Sequence, residues 1–253
     1  MCCSCRTPTL PAVGGWFQQE RTFLPVKLQD LSVVLTGATS SVGAALARAL
    51  IARGARVLLV ARSAAPLAEL ARELTRDDDH RHRVDALASD VTNPGALLGI
   101  RDAAVARGAN VLINTANADD GEALQALDAA HIDAILQNNL VAPVQLTRAL
   151  LPHLLRQPSA RVLNIGLPLG LSANAGGAVH RASQLGLRGF CDALRRELAG
   201  TRVRVQFLAT RTSDANAPAN AAQAALRLLV NGNGEPLFGI SGELFARLAQ
   251  RLR

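Results

Sequence analysis

Tyrosine is absent from the 253 residues, tryptophan and methionine occur once each, and aromatics make up 3% of the chain. Lysine is equally scarce: Lys27 stands alone, so arginine carries nearly all the positive charge. With so few aromatic side chains there is no platform for stacking bases, and no Lys/Arg run is long enough to form a dense stripe. The net charge of +7 therefore does not read as nucleic-acid binding. It suits the attraction of phosphorylated small molecules equally well. No apolar run approaches the ~20 residues of a membrane span, so no transmembrane segment is expected. The four cysteines are lopsided, with Cys2, Cys3 and Cys5 crowded together and Cys191 far away. That spacing excludes a disulfide framework, and no His/Cys set lies at zinc-binding spacing, so no metal is expected. A basic stretch followed by an apolar one is also missing near Met1, which leaves a cytoplasmic protein as the expectation.

At 49% hydrophobic the chain can bury a substantial core, and a single α/β domain fits its length. Residues 1–27 carry Pro8, Pro11, Gly14, Gly15 and Pro25 without periodicity and read as a disordered extension. The stretch 31–50 organises the rest of the chain. An apolar, β-branched run (Val33, Val34, Leu35) ends in a turn opened by Thr36 and Gly37, and helical periodicity begins at Gly43. A strand that feeds a helix through such a turn aims the helix's first N–H groups, and its positive dipole end, at one spot suited to a phosphate.

Further strands are predicted at 56–61, 84–88, 110–113, 161–165, 203–208 and 236–240, with helical patterns between them. Thr92 or Asn93 caps the helix that opens with Pro94, and Pro143 and Pro218 fall in first turns. The charged run 77–83 reads as a solvated loop. Alternating strands and helices imply a single doubly wound, Rossmann-type α/β domain over 28–240, with helices on both faces of a parallel sheet of order 3-2-1-4-5-6-7. Residues 241–253 are expected to form an amphipathic helix with Leu244, Phe245, Leu248 and Leu252 on one face. In such sheets ligands sit beyond the carboxyl ends of the strands, where the turn after the first strand, Arg62, Asp90 and Asn114 all fall.

The string T-G-A-T-S-S-V-G (36–43) resembles the T-G-x-x-x-G-x-G turn of the short-chain dehydrogenase/reductase family, with Ser41 at the middle glycine. The resemblance runs from about Val33 to Phe207 and implies a nicotinamide dinucleotide held by Gly37, Ser40, Ser41, Val42 and Gly43. Arg62 matches the arginine that takes the 2′-phosphate in NADP(H)-preferring members, and Asp90 and Val91 match the pair beside the adenine. Asn114 and Ala116 match the family's N-N-A-G, with Asn117 at its glycine, and Asn139 matches the helical Asn of its catalytic tetrad. At the other three catalytic positions the residues differ: Leu167 stands for Ser, His180 for Tyr and Gln184 for Lys. The flanking Ala182, Ser183 and 187–190 fix that alignment, and with no tyrosine and one early lysine no shift restores the pair. The nicotinamide wall Pro-Gly appears as Thr210 and Arg211.

Hydride transfer to a carbonyl needs a donor for the developing alkoxide, and a nearby lysine prepares the tyrosine for that role. Leu167 offers no hydrogen bond and Gln184 no charge. The resemblance therefore implies an NADP(H)-binding homologue without the family's oxidoreductase activity, acting as a sensor or as a subunit beside an active relative. The other reading is an active enzyme on a small carbonyl or alcohol with His180 as a non-standard acid/base. A homodimer, or a heteromer with an active relative, through the helices at 139–155 and 180–198 is the implied assembly.

Overall fold

The computed structural model describes residues 26–115, 122–166, 177–210 and 216–231. Six strands form one parallel sheet: β1 (Ser32–Thr36), β2 (Arg56–Ala61), β3 (Val84–Ala88), β4 (Val111–Asn114), β5 (Ala160–Gly166) and β6 (Val203–Ala209). Their order is β3-β2-β1-β4-β5-β6, with the reversal of direction beside β1. The doubly wound order expected from the alternation is present through its first six strands. The expected seventh strand, at 236–240, lies outside the described residues, as do residues 1–25 of the expected extension and the expected 241–253 helix, whereas Val26 within that extension packs against the core.

Seven helices connect and cover the sheet: α1 (Ser41–Ile51), α2 (Ala64–Leu74), α3 (Pro94–Ala106), α4 (Ala129–Leu136), α5 (Ala142–Leu154), α6 (Ala178–Glu197) and α7 (Ala217–Asn231). Side chains alternate across each strand, so one strand feeds two cores. Val33, Leu35, Val57, Leu59, Val111 and Ile113 pack with α1, α2 and α7 on one face. Val34, Leu58, Val60, Leu112, Val162 and Val205 pack with α3, α5 and α6 on the other. Asn93 caps α3, accepting from the Gly95 N–H at 2.9 Å, and Pro94 occupies the first turn. The 77–83 run closes as short 3-10 turns whose aspartates and Arg81 are exposed, while Arg83 is half-buried and donates to the Gly54 carbonyl.

Two local features were not legible in the sequence. Helix α1 begins at Ser41, two residues before its periodicity, because the Ser40 hydroxyl caps it. And α4 runs into α5 through a π-turn over Gln137–Val141 instead of stopping before Pro143. Pro143 has no N–H to offer the Asn139 carbonyl, so the helix widens there and continues.

Arg161 is a cost in this core. Its guanidinium is 1% exposed, it has one hydrogen bond to the Ser159 hydroxyl at 3.1 Å, and its Nε is unpaired. It lies in register with Arg204 on β6, and burial, with that like charge, pushes its pKa down to about 10. Replacing it with an apolar side chain of similar length, Arg161→Met, is expected to raise stability by about 1–3 kcal/mol. Below about pH 10 the guanidinium is charged in folded and unfolded chains alike, and the folded chain bears the penalty. From about pH 10 upward the folded chain binds fewer protons than the unfolded one, so wild-type stability rises there relative to the variant. Denaturant titrations of both proteins across that range, which no tyrosine obscures, should show the gap closing.

The α1 turn imposes a second constraint. Gly37 has φ of 65°, and a Cβ on Gly43 would overlap the Gly37 carbonyl oxygen and stand 3.0 Å from Ala38 Cα. Gly43→Ala should cost about 1–3 kcal/mol in chemical denaturation, because the backbone it meets cannot rotate away.

Candidate functional site

The carboxyl ends of β1, β2, β3 and β4 place the turn at Gly37, then Arg62, then Asp90, and Asn114 along one edge of the sheet. At the centre, the Ser40 hydroxyl accepts from the Gly43 N–H at 3.0 Å and caps α1. The N–H groups of Ser41 and Val42 belong to the first helical turn and have no partner inside the helix, so they are the donors the turn can offer an anion. Ser41 is exposed as the first residue of α1, and Val42 is half-buried.

A residue not picked out in the sequence fixes this turn. The Thr115 hydroxyl donates to the Thr36 carbonyl at 2.7 Å, lies 3.2 Å from the Gly37 carbonyl, and sits 3.5 Å from the Ser40 hydroxyl. Arg62 is exposed immediately after β2, the position from which a guanidinium can form two N–H bonds to a phosphate. The Asp90 carboxylate accepts from the Thr92 N–H at 2.9 Å and from its hydroxyl at 2.7 Å. These two bonds, with a smaller contribution from Arg62, hold it below the usual carboxylate range. Val91 follows it, half-buried against the core. Asn114 is buried, with its carboxamide turned into the sheet. Ala116, Leu167 and Arg211 lie outside the described residues.

On the opposite side of β4 and β5, the π-turn carries Asn139 inward, 1% exposed, against α6. Its Nδ2 donates to the Ser183 hydroxyl at 3.2 Å and makes a long contact of 3.4 Å with His180 Nδ1. The Ser183 proton is already directed at the His180 carbonyl at 2.6 Å, so the oxygen facing Asn139 must accept. That fixes the carboxamide with its NH2 toward Ser183 and His180, makes Nδ1 an acceptor, and places the ring's proton on Nε2. His180 is thus held at Nδ1 by a carboxamide, which carries no acidic proton to replace one lost from the ring.

His180 and Gln184 are both buried inside α6. His180 is thus a helical residue held at Nδ1, where the sequence showed no orienting partner for it. A Cβ on Gly166 would overlap Gln184 Oε1 and stand 2.8 Å from the Phe207 ring, so the carboxamide lies directly on the carboxyl end of β5. Thr210 is close by, its N–H bonded to the Gly166 carbonyl at 2.8 Å. Ser183 could have been found from its spacing, one helical turn after His180 on the same buried face. Thr115 stands at the second position of the N-T-A-N match, which does not show that its hydroxyl holds the turn.

Residues 32–225 match the family described as short chain dehydrogenase. The ketoacyl reductase HetN of Nostoc sp. is 33% identical over 183 residues, which is 72% of this chain and 63% of that protein. The dehydrogenase/reductase SDR family member 7B of Bos taurus is 30% identical over 202 residues, 78% of this chain and 62% of that one. The chain thus spans just under two thirds of the length of both relatives. Among solved structures, a metagenomic short-chain oxidoreductase in complex with NADP aligns at 30% identity with a TM-score of 0.73, covering 81% of this chain and 93% of its own. With a family match that runs through all six strands into α7, the chain belongs to the short-chain dehydrogenase family.

Proposed function

We propose that this family member binds NADP(H) at the α1 turn, ahead of NAD(H), and lacks the carbonyl/alcohol oxidoreductase activity of its relatives. Its role is then that of a dinucleotide-dependent sensor or of a subunit beside an active relative. The observation that carries this reading is the contrast between the two sides of the sheet edge. The turn keeps a capped helix with two first-turn donors and an exposed arginine, whereas the positions of the family's acid and its cation hold His180 and Gln184. The metagenomic relative is in complex with NADP; in this reading the Ser41 and Val42 N–H groups receive the pyrophosphate and Arg62 the 2′-phosphate. Asp90, Val91, Asn114 and Ala116 then border the adenosine half.

The second reading, an oxidoreductase on a small carbonyl or alcohol, is favoured by one contact: Asn139 orients His180 through Nδ1. A donor at Nε2 could then stabilise a developing alkoxide, although the ring lacks a route for proton replacement on the Asn139 side.

The working unit in this proposal is the 28–240 domain, with 1–27 as an extension and 241–253 as a helix. Cytoplasmic residence goes with it, and no helix among the described residues is long and apolar enough to cross a membrane. A homodimer or heteromer through α5 and α6 is supported by Leu185, which is 56% exposed on α6. Most leucines of these helices (Leu146, Leu150, Leu154, Leu187, Leu194) face their own sheet and so do not call for a partner.

Fluorescence titration should show saturable NADPH binding that is tighter than NADH binding, and Arg62→Asp should reverse that order. Equal and immeasurable binding of both would overturn the cofactor assignment. Wild-type protein should show no NADPH oxidation with simple ketones or aldehydes, since positioned acid–base groups supply roughly 10²–10⁴-fold of the rate. The combined Leu167→Ser, His180→Tyr and Gln184→Lys variant should gain turnover, and the three belong together because residues acting as a unit show little singly. Robust wild-type turnover that vanishes in His180→Ala would instead establish the second reading.

A further inference from the structure

We propose that Asn164 is a positioning residue which, together with Cys191, ties the α1 turn to helix α6 through a row of buried hydrogen bonds running across the sheet. Thr36, Asn114 and Asn164 are direct register partners on β1, β4 and β5. Their exposures are 1%, 3% and 0%, so the row is shut off from water. The Thr36 hydroxyl donates to Asn114 Oδ1 at 3.1 Å, Asn114 Nδ2 donates to Asn164 Oδ1 at 2.8 Å, and Asn164 Nδ2 donates to the Cys191 sulfur at 3.1 Å. Each side chain hands the chain of donors on in the same sense, and the buried thiol of α6 receives the last one.

What lies at the two ends gives the row its meaning. At the β1 end, Thr36 is the residue before Gly37, and its carbonyl is gripped by the Thr115 hydroxyl that also reaches Gly37 and the Ser40 cap. At the α6 end, His180, Gln184, Leu187 and Cys191 are spaced four, three and four residues apart and form one buried stripe. The bond that fixes Cys191 against β5 therefore sets the rotation of the stripe carrying His180 and Gln184. Asn114 and Thr36 stand between Asn164 and the α1 turn, so Asn164 and Cys191 act on the turn through them.

Removing the thiol leaves Asn164 Nδ2 buried without its acceptor. A carboxamide that turns to find another partner must break its bond to Asn114, and the disturbance passes along the row. That this matters for ligand affinity rests on the α1 turn being the dinucleotide site; the tie itself does not. It is tested by hydrogen–deuterium exchange on the full chain, comparing wild type, Cys191→Ala and Cys191→Ser. In Cys191→Ala the hydrogen-bonded amides of Ala38, Ser40 and Gly43 should exchange about tenfold faster, the order expected from one orphaned buried donor, while α3 stays unchanged.

The serine hydroxyl accepts as the thiol does, so Cys191→Ser should restore wild-type exchange at the turn. NADPH affinity measured on the same three proteins should follow the same order, weaker by about tenfold in Cys191→Ala alone. Acceleration confined to α6, spread evenly over the chain, absent, or unrescued by serine would overturn the tie. Failure of wild-type protein to bind NADPH would overturn the dinucleotide reading instead, and the exchange pattern would still decide whether the tie exists.

Discussion

A parallel sheet covered on both faces has to end somewhere, and at the carboxyl ends of its central strands the chain must pass from a dry core to a wet edge. In this protein the passage is made at one level, by Thr36, Asn114 and Asn164, side by side in three neighbouring strands. A row of apolar side chains there would pack as well but would leave the strand ends to be positioned by loops. Polar side chains buried this deeply have few satisfactory arrangements, since each must meet its donors and acceptors without water. The turn into α1, the cap at Ser40 and the setting of α6 all lean on that level of the sheet.

The sheet edge above this level divides into two chemically different halves. Around α1 the groups on offer are backbone N–H, a hydroxyl and a guanidinium, a set that recognises phosphate by geometry and charge. Around α6 the groups are two carboxamides, a serine and an imidazole, of which Asn139, Ser183 and His180 are hydrogen-bonded to one another. Such a cluster is well suited to holding a shape. The division follows the order of strands: the first half of the chain builds one side and the second half the other.

Much of the fold was legible because its signals were redundant. Val33 to Leu35 and Val57 to Ala61 are unbroken apolar runs with a helical pattern between them, and six strands alternating with helices leave little freedom of topology. The α1 turn was legible because Gly37 and Gly43 do jobs that no side chain permits. The π-turn around Asn139 was not, since an ordinary helix and a widened one share the same apolar spacing to within a residue. Nor could the sequence show that His180 sits within reach of Asn139, because residues 41 apart in the chain become neighbours only through packing. Asn164 did carry a signal: a carboxamide in the middle of R-V-L-N-I-G contradicts the run around it, and a buried polar residue implies a partner.

Among the described residues strand β3 is the outer member of the sheet beside β2, so its other side offers backbone with which another strand could pair. It is five residues long, most of its side chains are open to solvent, and Asp85, its second residue, is bridged to Arg107 just after α3. A short border guarded by an ion pair is a poor template for edge-to-edge growth. The molecule is thereby protected on that flank from the β-mediated aggregation to which an uncovered parallel sheet is prone.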